Sequence, residues 1–391
     1  MMHRAVRIAC VAGLMLHLGA GALLAQVASA DAGADQLYEQ AERLRTGDGV
    51  LQNCALAAKT YAQAVQQGDA RAMNALGALY FSGLGVQADA EAGARLIAQA
   101  AELGDPKHLH DYATILQNGS GLAADPEQAA LVFGQAAAKG WVESAVSLGT
   151  LYLEGQGVQK DIPRAIELFE GPAEAGHARA QNNLGLIYVR GDGVAQDYER
   201  AAKFFAKAAE QGLSTALNNL GVMYQNGFGV EANEEHAAQL YRMAAEQSGD
   251  DASQIGLVFD QRLVAPDPSL VEGYLTAAKA GDPVAQFLLG YLLATDQDLA
   301  DPVQAARLFE ASAQSGLPAA MVNMGVLSFQ GKGVLQDFSE GYKWLTLAAA
   351  SGFSGAIALR DRLSGRMTAQ QINAANERAQ TEWARLSGKD Q

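Results

Sequence analysis

Asparagine recurs at matched positions in this sequence of 391 residues, and it is the residue type best suited to binding chemistry. An amide offers both hydrogen-bond donors and an acceptor, without the desolvation cost of a charge. Amides spaced at a regular interval could bind a peptide backbone or the hydroxyl groups of a sugar. The alternative is that they bond the neighbouring turn and stabilise a repeated structure. The candidates are Asn74, Asn182, Asn183, Asn218, Asn219 and Asn323.

A histidine pair and a cysteine are the other groups with possible reactivity. His108 and His110 stand beside Asp111, but positions two apart on a helix point away from each other. Joint metal ligation would therefore need an irregular backbone, and we expect a polar variant of a repeat instead. Cys54 follows a predicted helix start, where the helix dipole could lower its pKa; we expect a buried thiol in an apolar slot. We predict no metal site and no cofactor.

Catalytic motifs are missing from the sequence after residue 30. It contains no H-E-x-x-H, no G-x-S-x-G, no phosphate-binding P-loop and no Ser-x-x-Lys. Glycine-rich stretches such as Gly119-Ser120-Gly121 resemble phosphate loops, but they follow helices and are expected to cap them. The sequence therefore predicts a binding protein and not an enzyme.

The first 30 residues predict a secretory signal peptide. A positive start with Arg4 and Arg7 precedes an apolar run over residues 8–25, and Ala28-Ser29-Ala30 fits a cleavage site. The alternative is an uncleaved membrane anchor. Loss of the two arginines changes the formal net charge from −15 to −17, which disfavours nucleic acid and anionic lipid. We expect a periplasmic or secreted protein, cut after Ala30, with no membrane span in the mature chain.

A repeat of about 36 residues positions all of these candidates. The pattern Leu184-Gly185-x-x-Tyr188-x-x-Gly191-x-Gly193-Val194 recurs with an offset of 36 on both sides. Nine units fill residues 35–352, with weaker spacing over 251–310, and capping helices are expected over 353–391. The small residue after the Leu position falls at Ala41, Gly77, Ala113, Gly149, Gly185, Gly221, Gly256, Gly290 and Gly325.

Each unit predicts two helices, which we call helix A and helix B. The small residue inside helix A is usually Gly, which costs about 1 kcal/mol relative to Ala and indicates close approach of a neighbouring helix backbone. A Gly-x-Gly turn ends helix A. Helix B then begins at an Asp or Asn that can cap its first turn. These caps are Asn53, Asp89, Asp125, Asp161, Asp197, Asn233, Asp267, Asp301 and Asp337.

The unit A-x-x-x-L-G-x-x-Y-x-x-G-x-G-V-x-x-D, with a following Ala-rich helix, resembles the Sel-one-like repeat (SLR) family, relatives of the tetratricopeptide repeats. Residues 180–185 match the start of its helix A almost residue for residue. The resemblance implies an all-α fold of αα-hairpins stacked into a right-handed superhelical solenoid. It also implies an adaptor or scaffold role, and bacterial members outside the cytoplasm are linked to envelope signalling and exopolysaccharide control.

The leading functional hypothesis is a non-enzymatic scaffold that binds a protein or peptide on its concave face, which helix A lines in such superhelices. The asparagines named above are the candidate binding residues. A glycan or peptidoglycan binder that supports polysaccharide export is the first alternative. A cell-wall or β-lactam hydrolase is the second, and it would need a nucleophile–base pair that the sequence does not offer.

Overall fold

The computed structural model describes residues 33–248 and 255–388, so the predicted signal peptide lies outside the described residues. The described part contains 19 α-helices, one short 3-10 helix and no strand. None of the described helices combines the length and apolar character that a bilayer span requires. The prediction of an all-α solenoid is confirmed.

Helices A and B alternate along the first six units with nearly constant length. The A helices are α1 (33–46), α3 (Ala70–Ser82), α5 (Pro106–Asn118), α7 (Val142–Glu154), α9 (Ala178–Arg190) and α11 (Ser214–Asn226). The B helices are α2 (Cys54–Gln66), α4 (Ala90–Glu102), α6 (Pro126–Ala138), α8 (Ile162–Glu174), α10 (Tyr198–Ala209) and α12 (Glu234–Ser248).

The C-terminal part begins with a 3-10 helix, Pro268–Leu270, and continues with α13 (Val271–Lys279). Two further hairpins follow, α14 (Pro283–Thr295) with α15 (Pro302–Gln314), and α16 (Pro318–Gln330) with α17 (Phe338–Ala350). The described chain closes with α18 (Ala356–Ser364) and α19 (Ala369–Leu386).

The predicted helix caps are present. All nine Asp and Asn side chains accept a hydrogen bond from a backbone N–H two or three residues later. Eight of them cap B helices, and Asp267 caps the 3-10 helix before α13. Each cap is worth about 1 kcal/mol relative to Ala, so the repeated residue has a clear structural cause.

The second glycine of most turns packs one unit against the backbone of the preceding one. Gly157 has φ +65°, and a Cβ atom there would stand 2.1 Å from the carbonyl of Pro126 at the start of α6. The matching glycines at 85, 121, 229 and 333 approach the preceding B helix equally closely. Only glycine therefore fits at this contact, for reasons of both conformation and space.

The glycine inside helix A meets the predicted helix backbone in some units and a side chain in others. A Cβ atom on Gly77 would stand 2.9 Å from the carbonyl oxygen of Gly93, and Gly290 and Gly325 also approach a backbone carbonyl of helix B. A Cβ atom on Gly185 would meet the ring of Phe205 at 2.6 Å, and Gly149 and Gly221 face Phe169 and Tyr241 in the same way. We expected a helix backbone at this point. In these three units the space is filled by an aromatic side chain from helix B of the same unit.

The A helices lie beside one another from unit to unit and form one layer, which we call the inner layer of the solenoid. Side-chain hydrogen bonds join neighbouring A helices, from His110 to Ser144 and from Asn219 to Asn182, both at 2.9 Å. Helix α7 also contacts α9 directly, although α8 lies between them in sequence. The inner layer is therefore continuous from unit to unit.

The repeat predicted a helix A around Gly256 in the seventh unit. The described residues 255–260 form no helix, so this prediction is wrong for them. The Gly-x-Gly turn that ends the first six A helices is missing there, as it is after α14, where the C-cap is Asp296. Residues 255–263, which we call the inner segment, lie on α16 instead and are packed through their apolar side chains against the C-terminal core.

The two ends of the described solenoid meet. Tyr342 donates to Gln52 Oε1 at 2.7 Å, and Arg360 donates to the carbonyl of Thr46 at 2.7 Å. Asn373 of α19 bonds the turn after α3, accepting from the N–H of Gly85 and donating to the carbonyl at 83, both at 2.9 Å. Helix α19 thus packs on α17, as a cap would, and also on the second unit.

Candidate functional site

An open groove runs along the inner face of α1, α3 and α5, and we call it the N-terminal groove. It consists of two adjoining clefts of about 620 and 570 Å³. Asn74, Ala78 and Ser82 of α3 line both clefts, so one face of this helix forms the ridge between them. Volumes of this size are typical of ligand sites.

The cleft between α3 and α5 has an apolar floor. Phe81, Ile97 and Ile115 supply the large side chains, and both isoleucines are buried. His110 and Asp111 stand at the edge of the same cleft. This combination of an apolar floor and a polar edge suits a ligand with an apolar side chain on a polar backbone.

Asn74 brings an unsatisfied acceptor to the groove. Its Nδ2 donates to Asp111 Oδ2 at 2.9 Å, whereas its buried Oδ1 has no hydrogen-bond partner among the described residues. A buried polar atom without a partner costs about 1–3 kcal/mol, which a ligand N–H would recover. Among the predicted binding residues, Asn74 is the one placed at a cleft.

The cations of the N-terminal groove are already paired. Arg45 bonds Glu42 at 2.7 Å, Arg71 bonds Asp69 at 2.6 Å, and Lys107 bonds Asp111 at 2.9 Å. Burial alone would raise the pKa of Glu42, but hydrogen bonds from Arg45 and Tyr61 outweigh it and hold that pKa below its ordinary value. The groove therefore offers balanced charges.

The two histidines face different surroundings on the regular helix α5. His110 Nδ1 lies 2.9 Å from Ser144 Oγ, and its ring is tilted against Phe133 and Trp141. His108 is buried, with Nδ1 4.0 Å from Asp105. Burial lowers the pKa of both rings. Within residues 33–248 and 255–388, no group of three or more His, Cys, Asp or Glu residues is arranged to hold a metal ion.

Cys54 is a buried free thiol. Burial raises its pKa above the ordinary value, although the nearby Arg360 acts in the opposite direction. A thiol that stays protonated is a poor nucleophile, so the structure favours the packing role expected from the sequence.

The asparagines on α9 and α11 bond neighbouring A helices. Asn219 donates to Asn182 Oδ1 at 2.9 Å, and Asn183 lies 3.4 Å from Thr150 Oγ1. Asn182 is buried, while Asn218 is exposed on the inner layer. These contacts fit the alternative in which the amides stabilise the array, and a binding role for these four residues stays a prediction.

Asn323 binds a peptide backbone that belongs to its own chain. It is fully buried, accepts from the N–H of Val258 at 2.7 Å and donates to the carbonyl of the same residue at 3.0 Å. Gln330, seven residues further along α16, donates to the carbonyl of Ile255 at 2.8 Å. The sequence did not reveal Gln330 or the inner segment, because the partners lie 65 and 75 residues apart.

The inner segment also has an apolar anchor. The ring of Phe259 lies 5.9 Å from that of Phe287 and 5.1 Å from that of Tyr291, both on α14. The inner face of α14 and α16 therefore holds an extended stretch of polypeptide by its main chain and by one aromatic side chain.

The fold and the groove define an αα-repeat solenoid with an inner face suited to polypeptide. A model of the Sel1 repeat matches most of the chain, and the chain belongs to the Sel1 repeat family. No repeat is matched between 249 and 283, and the described residues 255–267 form no regular A helix. The eight matched stretches are residues 37–69, 70–105, 109–141, 142–177, 178–213, 214–249, 283–317 and 318–353.

Solved structures of the same family are similar over most of the chain. One is c5321, a protective antigen of uropathogenic Escherichia coli with an SLR fold, at 26% identity, 92% coverage of this chain, 88% of the other and a TM-score of 0.50. Another is a Sel1 repeat protein from Oxalobacter formigenes, at 25% identity, 90% and 93% coverage and a TM-score of 0.41. A search of curated proteins finds no match.

Proposed function

We propose that this chain is a non-enzymatic scaffold that binds a protein partner along its inner face, with the N-terminal groove as the contact site. The observation that carries the proposal is the inner segment, an extended polypeptide that α14 and α16 hold on this same face. Within residues 33–248 and 255–388, no segment covers the corresponding face of α1, α3 and α5, which forms two clefts.

The chemistry of the N-terminal groove supports binding over turnover. Its carboxylates are engaged by cations, the ring of His110 is engaged by the fully buried hydroxyl of Ser144, and its asparagine keeps an acceptor that no described residue engages. A general base or nucleophile would need a free and suitably tuned group at the cleft. An amide with an open acceptor serves recognition instead.

We place this binding outside the cytoplasm, in envelope assembly or signalling. The support is the positive, apolar and small-residue order of the first 30 residues.

Site-specific photo-crosslinking in the native cell tests the proposal. A photoreactive amino acid at Ala78, which lines both clefts, is expected to form a discrete adduct with a protein. The same group at Lys203, exposed on the outer helix α10, is the matched control and is expected to form none. Equal labelling at both positions, or adducts with glycan alone, would refute a protein-binding groove.

A further inference from the structure

The inner segment shows how this layer binds polypeptide. The hydrogen bonds that Asn323 and Gln330 make to the inner segment go to main-chain atoms, so these bonds hold its backbone without reading its sequence. Selectivity comes from the aromatic pocket of α14, which takes the ring of Phe259. Amide contacts to the backbone with a pocket for one side chain are a recurring mode of peptide recognition.

The N-terminal groove offers the same two elements. Asn74 supplies an amide with a free, buried acceptor. Ser82 is the last residue of α3, just as Gln330 is the last residue of α16. The pocket is the cleft whose floor is formed by Phe81 and the two buried isoleucines.

The charges of the groove select an uncharged ligand. A charged ligand group would have to break one of the ion pairs of Arg45, Arg71 or Lys107, or lose its hydration without a partner. Burying a charge without a partner is costly, whereas an apolar side chain on the cleft floor gains about 25 cal/mol for each Å² removed from water.

We propose that the N-terminal groove binds an extended, uncharged segment of a partner protein that carries a large apolar side chain. A main-chain N–H of the segment donates to Asn74 Oδ1, and the apolar side chain enters the cleft between α3 and α5. The proposal rests on the proposed function and adds the ligand class and the residue that holds it.

A peptide copied from the chain itself is the first probe. Acetylated and amidated Gln-Ile-Gly-Leu-Val-Phe, the sequence of residues 254–259, is uncharged and carries the aromatic anchor. Titrated into the full chain and followed by nuclear magnetic resonance, it is expected to saturate and to shift signals of α3 and α5. Replacing its Phe with Ala is expected to weaken binding by more than tenfold.

Variants of the chain locate the site. Asn74→Ala is expected to weaken the peptide about tenfold, as the loss of one buried hydrogen bond implies. Asn226→Ala, at an exposed amide on α11, is the matched control and is expected to change nothing. Ala78→Trp keeps Asn74 but fills the clefts, so it should abolish binding even if Asn74→Ala proves unstable.

Two results would overturn the proposal. One is the absence of saturation at millimolar peptide. The other is binding that ignores Asn74→Ala and Ala78→Trp but strengthens in Asn323→Ala, which would mean that the peptide replaces the inner segment on α16. In either case a protein adduct at Ala78 in the crosslinking experiment would still support the proposed function. Failure of the peptide proposal can therefore be told apart from failure of the proposed function.

Discussion

Helix A of the repeat is packed differently in the first six units and in the C-terminal hairpins. On α11 the buried residues form one stripe, Ala216, Leu217, Leu220, Gly221 and Met223. On α16 every residue from 319 to 329 is buried, because the inner segment covers the face that α11 leaves open. Helix A is thus covered by the chain's own polypeptide on α16 but not on α11, and this coverage distinguishes the two regions.

The two regions also differ in how their cores are distributed. The largest apolar cluster of the described residues spans α14–α19 and includes Trp344 and Phe309. The first six units hold several smaller clusters, each drawn from three or four consecutive helices. In a repeat array each unit contacts mainly its neighbours, so we expect the N-terminal units to open more easily than the C-terminal core.

The largest expected effect comes from breaking the contact between the two regions. Arg360→Ala removes a fully buried guanidinium that bonds Asp361 and the carbonyl of Thr46. We expect a loss of about 3 kcal/mol in the free energy of unfolding by urea. Arg366→Ala, exposed in the turn after α18, is the control. Equal stability of the two variants would show that the ends do not meet in solution.

A substitution in a turn tests how the first six units are joined. Gly157→Ala places a Cβ atom 2.1 Å from Pro126 in addition to straining a positive φ. Gly176→Ala strains a positive φ of +95° but meets nothing within 4 Å. We expect a loss of about 1 kcal/mol for Gly176→Ala and about 2 kcal/mol more for Gly157→Ala, measured by thermal unfolding. Similar losses would rule out the tight contact between units.

One pair of asparagines compares the two regions at the same repeat position. Asn323→Ala leaves the N–H and carbonyl of Val258 buried without partners, at a cost of about 2 kcal/mol. Asn219→Ala removes one bond to a side chain, for about 0.5–1 kcal/mol. Trypsin cleavage after Arg262 should be faster than in the parent chain for Asn323→Ala and unchanged for Asn219→Ala. Equal cleavage in the two variants would show that Asn323 does not hold the inner segment.

The smallest expected effect is a pH dependence confined to the N-terminal groove. Burial holds the pKa of His108 and His110 below 6.5 in the folded chain, so the unfolded chain binds more protons as the pH falls. The stability that the neutral rings contribute is therefore present above pH 6.5 and is lost as the pH falls through the folded pKa values. Urea midpoints at pH 7.5 and 5.5 should differ less in His110→Gln than in the parent. If the difference between the two urea midpoints is the same in His110→Gln as in the parent, His110 does not contribute to the pH dependence of stability.

Much of the fold follows from local signals in the sequence. The Asp and Asn caps and the Gly-x-Gly turns set helix boundaries within a few residues, because caps and left-handed turns depend on neighbours in sequence. The inner segment and the meeting of the ends could not be predicted in this way. They depend on the small rotation between units, which accumulates over some 300 residues and leaves no periodic signal.

The candidate site was predictable only in part for a related reason. Asn74, Asn182 and Asn323 share a residue type and nearly a position, but their partners are Asp111, Asn219 and the main chain of Val258. The repeat indicates where an amide stands and not what it meets. That Asn74 Oδ1 lacks a partner among the described residues follows only from the folded structure, because it depends on which side chains surround it.

The meeting of Arg360 with Thr46 has a consequence for how this protein can evolve. An open array can gain or lose a unit and keep its shape, because each unit touches only the next. Here an added or deleted unit would carry Arg360 and Asn373 past their partners on the first two units. We therefore expect a change in the number of units to break the contacts between the two ends, a constraint that an open solenoid does not have.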